Sequence, residues 1–331
     1  MAEIYSTLAA LFTDIADAIR EKTGEADSII ADDFPDMIRE RLQVIPSKPY
    51  LTFSSPSSFT LAVKDATKHW DGTLEYSTDT STWSTWDGTT TLSSAVSGND
   101  NVLYLRGTGN TVITGSNQNY KWVLTGSDIK CIGNIENLLD YATVESGAHP
   151  TMASYCYSNM FRDCASLTKA PVLPATTLAS NCYRSIFNRC TNLTQAPALP
   201  ATTLANNCYY YMFYGCTSLT QAPALPATTL ASNCYDNMFS GCTGLTQAPD
   251  LPATTLANNC YYNMFQGCTA LKLSATQTGE YTVAYRIPSS GTGTTATSAL
   301  SNMFASTGGT FTGTPSINTT YYLSNTNTVV G

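Results

Sequence analysis

Charged side chains are scarce in this chain of 331 residues, in which Asp, Glu, Lys and Arg together make up 12%. Soluble domains usually contain about 25% of these residues. Uncharged polar residues take their place. The net charge is -8 and no cluster of Lys or Arg occurs, which argues against binding to the phosphate backbone of nucleic acids. This composition is typical of extended, β-rich adhesive proteins.

Long hydrophobic runs are also absent. No stretch approaches the roughly 20 apolar residues of a membrane span, so we expect no membrane insertion. The chain starts Met1-Ala2-Glu3 and shows no basic region followed by an apolar run, which is the pattern of a signal peptide. The sequence therefore predicts a soluble protein that is made in the cytosol.

Residue patterns that carry catalysis are missing as well. The two histidines, His69 and His149, lie in different regions without a nucleophile signature beside them. No Gly-rich phosphate loop and no metal-ligand constellation occurs. We expect a protein that is not an enzyme and that has no cofactor and no metal site.

The chain does contain a block of 26 residues that is repeated five times between about residues 156 and 273. The block reads Cys-Tyr-x-x-Met-Phe-x-x-Cys-x-x-Leu-Thr-x-Ala-Pro-x-Leu-Pro-Ala-Thr-Thr-Leu-Ala-x-Asn. A fixed period of this size predicts stacked units, each too small to bury its own apolar face. The sequence therefore predicts a solenoid.

Three columns of the block suggest how one repeat folds. Cys156, Met160 and Cys164 are four residues apart, a spacing that predicts one face of a helix. Leu-Thr-x-Ala predicts one short parallel strand per repeat, ending where a proline cannot donate to a ladder. The Asn column is expected to bond to loop backbone through its side chains. The proline column consists of Pro171, Pro197, Pro223 and Pro249, and the Asn column consists of Asn181, Asn207, Asn233 and Asn259.

Ten of the 11 cysteines form pairs within the repeats, eight residues apart. Eight helical residues span roughly 12 Å, whereas a disulfide needs Cα atoms within about 7 Å. The spacing is not that of a zinc site either. We predict a ladder of small buried thiols, assembled in a reducing compartment.

The repeats resemble the BspA-like leucine-rich repeats of bacterial surface proteins. The resemblance rests on Phe239-Ser240-Gly241-Cys242, on Gly244-Leu245-Thr246 and on Leu251-Pro252. A longer period and an additional proline depart from that family. The resemblance implies a leucine-rich-repeat-type solenoid and a role in cell-surface adhesion.

The first 45 residues carry most of the helical patterning. Ile4, Leu8, Leu11 and Ile15 have the spacing of a coiled-coil seam, and a short second helix is predicted to follow Asp33. This segment is either a helical hairpin packed on its own chain or a docking and oligomerisation module, and we favour the second. The string from Leu11 to Gly24, with Ala31-Asp32-Asp33-Phe34-Pro35 after it, resembles the opening segment of virion structural proteins of phages of gut bacteria. The resemblance implies attachment to other virion proteins, and fibres of this kind suggest a homo-oligomer, by analogy a trimer.

Residues 50–127 show short alternating runs separated by turn residues, and they predict an immunoglobulin-like β-sandwich. Its four tryptophans are expected to pack in the core rather than to form a ligand platform. Residues 128–155 have apolar residues at helical spacing and are predicted to cap the solenoid. In residues 274–331, Asn302-Met303-Phe304 repeats Asn263-Met264-Phe265, which predicts a degenerate repeat and a C-terminal cap. The predicted fold is thus mixed but mainly β, with short helices.

Two columns change between repeats and are the candidate binding surface. They lie four residues apart, which predicts a shared helix face beside the buried one. The change is either drift on a solvated face or a side-chain array for a glycan or protein. The best local candidate is the cluster Tyr209-Tyr210-Tyr211 with Tyr214. The candidates are Ser158, Arg184, Tyr210, Asp236 and Tyr262 in the first column, Arg162, Asn188, Tyr214, Ser240 and Gln266 in the second, and the neighbouring Tyr211.

These patterns favour a phage virion protein, a tail or head fibre or spike. Its N-terminus would attach to the particle and its solenoid would contact a glycan or protein on the host surface. A bacterial surface adhesin of the BspA type is the second hypothesis, and it would need an export signal or anchor. A decoration protein without receptor activity is the third.

Overall fold

The structure is a computed structural model and describes residues 49–117 and 119–330. Within these ranges the chain is mainly β, as predicted, with four small sheets and one short helix. The predicted N-terminal helical segment, with Ile4, Leu8, Leu11 and Ile15, lies outside the described residues. The elements are β1 (Leu51–Ser55), β2 (Thr60–Val63), β3 (Thr73–Ser77), β4 (Ser84–Trp86), β5 (Leu92–Ser93), β6 (Ala95–Ser97), β7 (Asp100–Thr108), β8 (Trp122–Thr125), β9 (Ile129–Ile132), α1 (Asn137–Glu145), β10 (Leu167–Lys169), β11 (Gln247–Pro249), β12 (Lys272–Ser274), β13 (Tyr281–Arg286), β14 (Gly308–Gly309), β15 (Thr320–Ser324) and β16 (Thr328–Val330).

Strands β1 to β9 form two sheets, which we call the two-sheet region. One sheet has the order β10-β9-β1-β7-β3-β4, with β6 also paired to β7, and the other has the order β5-β2-β8. Side chains alternate along the strands, so that Leu103 is buried and Tyr104 is not. The sheets contact each other through their aromatic residues, as where Phe53 meets Trp122 with 6.4 Å between ring centroids.

Three of the four tryptophans lie in the core of this region, as predicted. Trp70, Trp86 and Trp122 are all at most 4% exposed. Trp83 differs, because it is only half-buried and its ring lies under the guanidinium of Arg106, 4.1 Å from carbon to centroid. Three tryptophans therefore pack in the core, and the fourth, Trp83, lies on the outer face of the larger sheet.

The repeats do not contain the predicted helix. The segment from Cys156 to Cys164 consists of successive turns, in which every fourth residue has a positive φ. In the second repeat these residues are Asn181, Ser185 and Arg189, with φ of 59°, 54° and 59°. The four-residue spacing of the buried side chains therefore reflects a four-residue backbone unit, and the predicted helix face was wrong.

Backbone hydrogen bonds alternate along these turns. In the second repeat, the N–H groups of even-numbered residues bond within the turn, as from Ile186 to Tyr183 O at 3.2 Å. Those of odd-numbered residues donate to the following repeat, as from Tyr183 to Cys208 O at 3.0 Å. Each repeat thus meets the next in register over a full series of bonds, which satisfies the buried backbone without helix or sheet.

Of the two other predictions for one repeat, the strand is partly right, whereas the bonding of the Asn side chains to loop backbone is not found among the described residues. Strands are formed in the first, fourth and fifth repeats, by β10, β11 and β12, while Lys169–Gln195 and Gln221–Gln247 are isolated parallel bridges. The Asn column is explained by its backbone, because Asn181, Asn207, Asn233 and Asn259 have φ between 52° and 59°. Asn tolerates this left-handed conformation better than most residues do, which accounts for the column without a side-chain ladder.

The interior of the stack is built from identical side chains placed one on another. Tyr157, Tyr183, Tyr209, Tyr235 and Tyr261 stack at 5.6 to 6.0 Å between ring centroids, and the Phe column does the same from Phe161 to Phe265 at 5.7 to 5.8 Å. All 11 cysteines are buried and free. Four of their thiols donate to a Phe carbonyl of the preceding repeat, as from Cys242 to Phe213 O at 3.0 Å.

The two-sheet region packs directly on the first repeat. Ile113 N–H donates to Cys156 O at 2.8 Å, and Trp122 N–H donates to Met160 O at 2.8 Å. β9 also pairs in parallel with β10 of the first repeat. One buried apolar cluster consequently runs from Leu51 to Leu323, and the two regions share a core.

Residues 128–155, predicted as a helically patterned cap, divide into β9 and α1. Ile129 is buried in β9, while Ile132 is 43% exposed, since the two alternate along a strand. α1 lies against β7. The predicted helical pattern was therefore wrong for Ile129 and Ile132, which lie in a strand. It was right for Leu138 and Leu139, which lie in α1 and are fully buried.

At the other end of the stack, residues of the segment predicted as a degenerate repeat continue the buried columns. Phe304 stacks on Phe265 at 5.5 Å between ring centroids, and Met303 is fully buried. The inserted residues form β13, which joins the sheet β13-β15-β12-β14, and β11 pairs with β16. These last strands lie beside the final repeats.

Candidate functional site

The two variable columns do not lie on a helix, but the structure does bring them together. Backbone bonds hold the first column in register, as where Ser185 N–H donates to Tyr210 O at 2.8 Å and Tyr211 N–H donates to Asp236 O at 3.0 Å. The second column is held in the same way, as by the bond from Arg189 N–H to Tyr214 O at 2.7 Å. Equivalent side chains of successive repeats are thus neighbours.

Burial divides the candidate residues into two groups. Ser158, Asp236 and Ser240 are buried, with 1%, 7% and 5% of their surface exposed. The others are partly exposed: Arg162, Arg184, Asn188, Tyr210, Tyr211, Tyr214, Tyr262 and Gln266. Tyr209, predicted to belong to the exposed tyrosines, is 1% exposed and stacks between Tyr183 and Tyr235, so that prediction was wrong. The accessible part of the surface is formed by arginine, amide and tyrosine side chains.

The tyrosines of the third repeat form a cluster with an arginine of the second, which we call the tyrosine cluster (Arg184, Tyr210, Tyr211 and Tyr214). The ring centroids of Tyr210 and Tyr211 are 4.4 Å apart and those of Tyr211 and Tyr214 are 5.1 Å apart. The Arg184 guanidinium carbon lies 5.1 Å from the centroid of Tyr210, a cation–π contact. Two adjacent repeats thus build one aromatic surface.

Tyr211 occupies a backbone position that suits other residues better. Its φ is 56°, and the equivalent positions hold Asn159, Ser185, Asn237 and Asn263, with φ from 52° to 60°. A bulky side chain in this left-handed region is uncommon and costs energy. The folding of the repeat does not explain an aromatic residue here, so the strain points to a role for the exposed ring.

A buried carboxyl group lies in the next repeat of the same column. Burial raises the pKa of Asp236 to about 6, although a hydrogen bond from the Asn237 side-chain amide opposes the rise. Burial and then the nearby Asp236 carboxylate raise the pKa of Tyr210, while burial and then Tyr210 raise that of Tyr211. Both hydroxyls consequently stay protonated at neutral pH and can donate hydrogen bonds.

This arrangement suits contact rather than chemistry. Tyrosine offers a large apolar ring and one polar end at a low entropy cost, which is why it is common at binding surfaces. Among the described residues, no group of three or more His, Cys, Asp or Glu is placed to hold a metal ion. The two histidines have different partners: His69 stacks on Tyr120, and His149 pairs with Glu136.

Sequence reasoning missed two further surfaces. On the larger sheet, Arg106 lies between Trp83 and Tyr141, 4.1 and 4.5 Å from their centroids, and pairs with Glu75 at 2.8 Å. Alternation along β7, which places Tyr104 and Arg106 outward, was the signal for it. The second surface is a cavity of about 360 Å³ beside the first repeat, lined by Glu136, His149, Pro150, Met152, Ala175, Thr176, Thr177, Leu178 and Ala179.

Comparison of the chain with models of protein families, with curated proteins and with solved structures finds no match. In the part of the chain that the structure describes, no helix is long and apolar enough to cross a membrane.

Proposed function

We propose that this protein is a phage virion protein, a fibre or spike of the tail or head, that binds the surface of the host cell through the tyrosine cluster. The observation that carries this proposal is Tyr211, an aromatic side chain at a strained backbone position, in contact with Tyr210 and Tyr214 and partly exposed. Host glycans and host proteins are the ligand classes that such a surface fits.

The architecture that we propose for this function is a leucine-rich-repeat-type solenoid behind an immunoglobulin-like spacer. Register bonds between repeats and the stacked Tyr and Phe columns support the solenoid, because each repeat buries its apolar face only against its neighbours. Two contacting antiparallel sheets support the spacer. In such an array, inner columns maintain the fold while outer columns are free to change.

Attachment to the particle is assigned to residues 1–45, on the resemblance of this segment to the opening of virion proteins. We propose that the segment docks onto other virion proteins and that the protein is a homo-oligomer, with a trimer as the working model. Capsid and tail genes beside the gene for this protein would support the assignment. A neighbourhood of surface-protein and export genes would support the BspA-type adhesin instead.

The binding role is tested with the full-length protein on cells of gut bacteria and on an array of their immobilised surface glycans. We expect the double variant Tyr211→Ala, Tyr214→Ala to lose at least about tenfold in affinity, because several stacked aromatic contacts each contribute about 1 kcal/mol. Tyr322→Ala, which changes a partly buried tyrosine of β15, is the matched control and should bind normally.

Two outcomes would contradict the proposal. Unchanged binding by the double variant, with its fold intact by circular dichroism, would remove the tyrosine cluster from the binding site. Absence of binding to any cell or glycan, while virions that lack the protein adsorb normally, would leave a decoration protein without receptor activity.

A further inference from the structure

The outer edge of the repeats carries a ladder of threonines, defined by the parallel bridges that join Thr177, Thr203, Thr229, Thr255 and Thr294 in that order. At its first step, Leu178 N–H donates to Thr203 O at 3.0 Å, and Thr203 N–H donates to Thr176 O at 3.2 Å. The last step repeats this pattern, since Leu256 N–H donates to Thr294 O at 3.0 Å and Thr294 N–H donates to Thr254 O at 2.8 Å. Thr203 and Thr294 thus use their own N–H and C=O to bond the preceding repeat.

Thr177 is the first member and has no preceding repeat. In a parallel ladder, the N–H and C=O of one residue point to the same side, and its two neighbours supply the bonds to the other side. The bonds of Thr176 and Leu178 go to Thr203, so the N–H and C=O of Thr177 point away from it. No described residue bonds to either group. The ladder therefore ends in an open edge with one donor and one acceptor.

The cavity of about 360 Å³ lies at this edge, since residues 175–179 line it. Its volume falls within the roughly 300–1,000 Å³ of small-ligand pockets. Met152 and Leu178 supply apolar walls. The carboxylate of Glu136, whose side chain is 2% exposed, supplies a buried acceptor and holds Nδ1 of His149 at 2.8 Å. The cavity occupies the place where a preceding repeat would lie.

We propose that this cavity binds an extended peptide of a partner protein, which adds one step to the threonine ladder. The open edge needs a carbonyl that accepts from Thr177 N–H and an N–H that donates to Thr177 O, placed on either side of one extended residue. A peptide provides this pair and a sugar does not. The matching sequence is the one that the later repeats place there, Ala-Thr-Thr-Leu-Ala. Its leucine continues the column that includes Leu178 and Leu256, which are 6% and 3% exposed.

The test uses the peptide acetyl-Ala-Thr-Thr-Leu-Ala-amide with a fluorescent label and the full-length protein, followed by fluorescence anisotropy. We expect saturable binding with a Kd in the range of about 10 µM to 1 mM, since the contact is short. The matched control peptide carries N-methyl-leucine, which removes only the N–H that would donate to Thr177 O. It should bind at least about tenfold more weakly.

Two protein measurements complete the experiment. Thr177→Pro removes the open N–H and should abolish binding, while Thr229→Ala, in the middle of the ladder, should bind normally. Because the proline variant could fail to fold, hydrogen exchange of residues 172–180 in the unaltered protein is measured as well, and the peptide should slow it. Equal binding of both peptides, no binding at 1 mM, or unchanged exchange would each overturn the proposal.

This inference does not depend on the proposed function. The double variant Tyr211→Ala, Tyr214→Ala should bind the peptide normally, because its residues are not among those that line the cavity. Conversely, the peptide should not displace the protein from cells or glycans. Loss of one activity without the other would therefore show which proposal had failed.

Discussion

The two-sheet region and the repeats bury similar side chains on two different backbones. In the two-sheet region, strands alternate buried and exposed residues, and the central strand β7 pairs with a strand distant in sequence, as where Leu105 pairs with Leu51. In the repeats, turns place two of every four side chains inward, and every second N–H bonds to the next repeat. The two regions nevertheless share one apolar cluster. The difference teaches that core continuity, rather than a common secondary structure, joins them.

The largest effect is expected from breaking the shared core within the repeats. Phe213 is fully buried and stacks on Phe187 and Phe239 at 5.7 Å. Phe213→Ala should lower the free energy of unfolding by about 3–5 kcal/mol. Thr220→Ala, at an exposed position, is the control and should change it by less than about 0.5 kcal/mol.

The same variant shows whether the regions unfold together. All four tryptophans lie in the two-sheet region and ten of the 11 cysteines lie in the repeats, so tryptophan fluorescence and thiol labelling in denaturant each follow one region. Because the core is continuous, Phe213→Ala should move both transitions to the same lower midpoint. A fluorescence transition that stays in place would show that the two-sheet region is independently stable.

One acid in each region should contribute to the pH dependence of stability, and the two contributions should have opposite signs. Burial raises the pKa of Asp236, in the repeats, from 3.8 to about 6. An acid with a higher pKa in the folded state than in the unfolded chain destabilises the fold once it ionises. The free energy of unfolding should therefore fall as pH rises from about 4 to about 6, and Asp236→Asn should remove this slope and gain on the order of 1–2 kcal/mol at pH 7.

Asp79 in the two-sheet region provides the opposite case. Backbone hydrogen bonds from Thr82 and Ser81 lower its pKa to about 2, so its contribution is present above pH 4 and is lost as pH falls toward 2. Asp79→Asn should therefore lose stability at neutral pH, where Asp236→Asn gains it. Urea denaturation between pH 3 and pH 8 measures both, and slopes of the same sign would contradict the burial assigned to Asp236.

The sequence predicted the buried columns well and the backbone that carries them poorly. Cys156, Met160 and Cys164 are buried as expected, but a four-residue spacing fits a helix and a series of turns equally. The signal that separates the two was the Asn and Gly residues every four positions, such as Asn233, Asn237 and Gly241, which favour positive φ. From the sequence alone, the column that contains Asn233 suggests a side-chain ladder, and only its dihedral angles show otherwise.

The candidate site divides in a similar way. Its tyrosines could be named from the variable columns alone, because they change where the rest of the repeat does not. The contact of Arg184 with Tyr210 joins residues 26 positions apart, and it depends on the register between repeats. The cavity beside Thr177 could not be predicted, since it arises from the absence of a preceding repeat and not from any motif.

The smallest effect is expected from the left-handed positions, and it compares the two backbones directly. Gly241 has φ of +76°, and an added Cβ would meet Gly215 Cα at 3.5 Å, an ordinary contact. Gly98, between β6 and β7, has φ of +63° and open space around it. Because neither site has a steric clash, only the strain of a left-handed backbone conformation contributes. Gly241→Ala and Gly98→Ala should each lower the free energy of unfolding by about 1 kcal/mol.

Gly241→Asn should cost less than Gly241→Ala, because asparagine accepts this conformation more readily. Asn237 already holds the equivalent position in the preceding four-residue unit, with φ of 54°. Thermal and urea denaturation of the three variants measures the order. If Gly241→Ala cost several times as much as Gly98→Ala, the turns would be coupled through their bonds to the next repeat. If asparagine were no better than alanine, then φ would not be the cause and close packing against the neighbouring repeat would be.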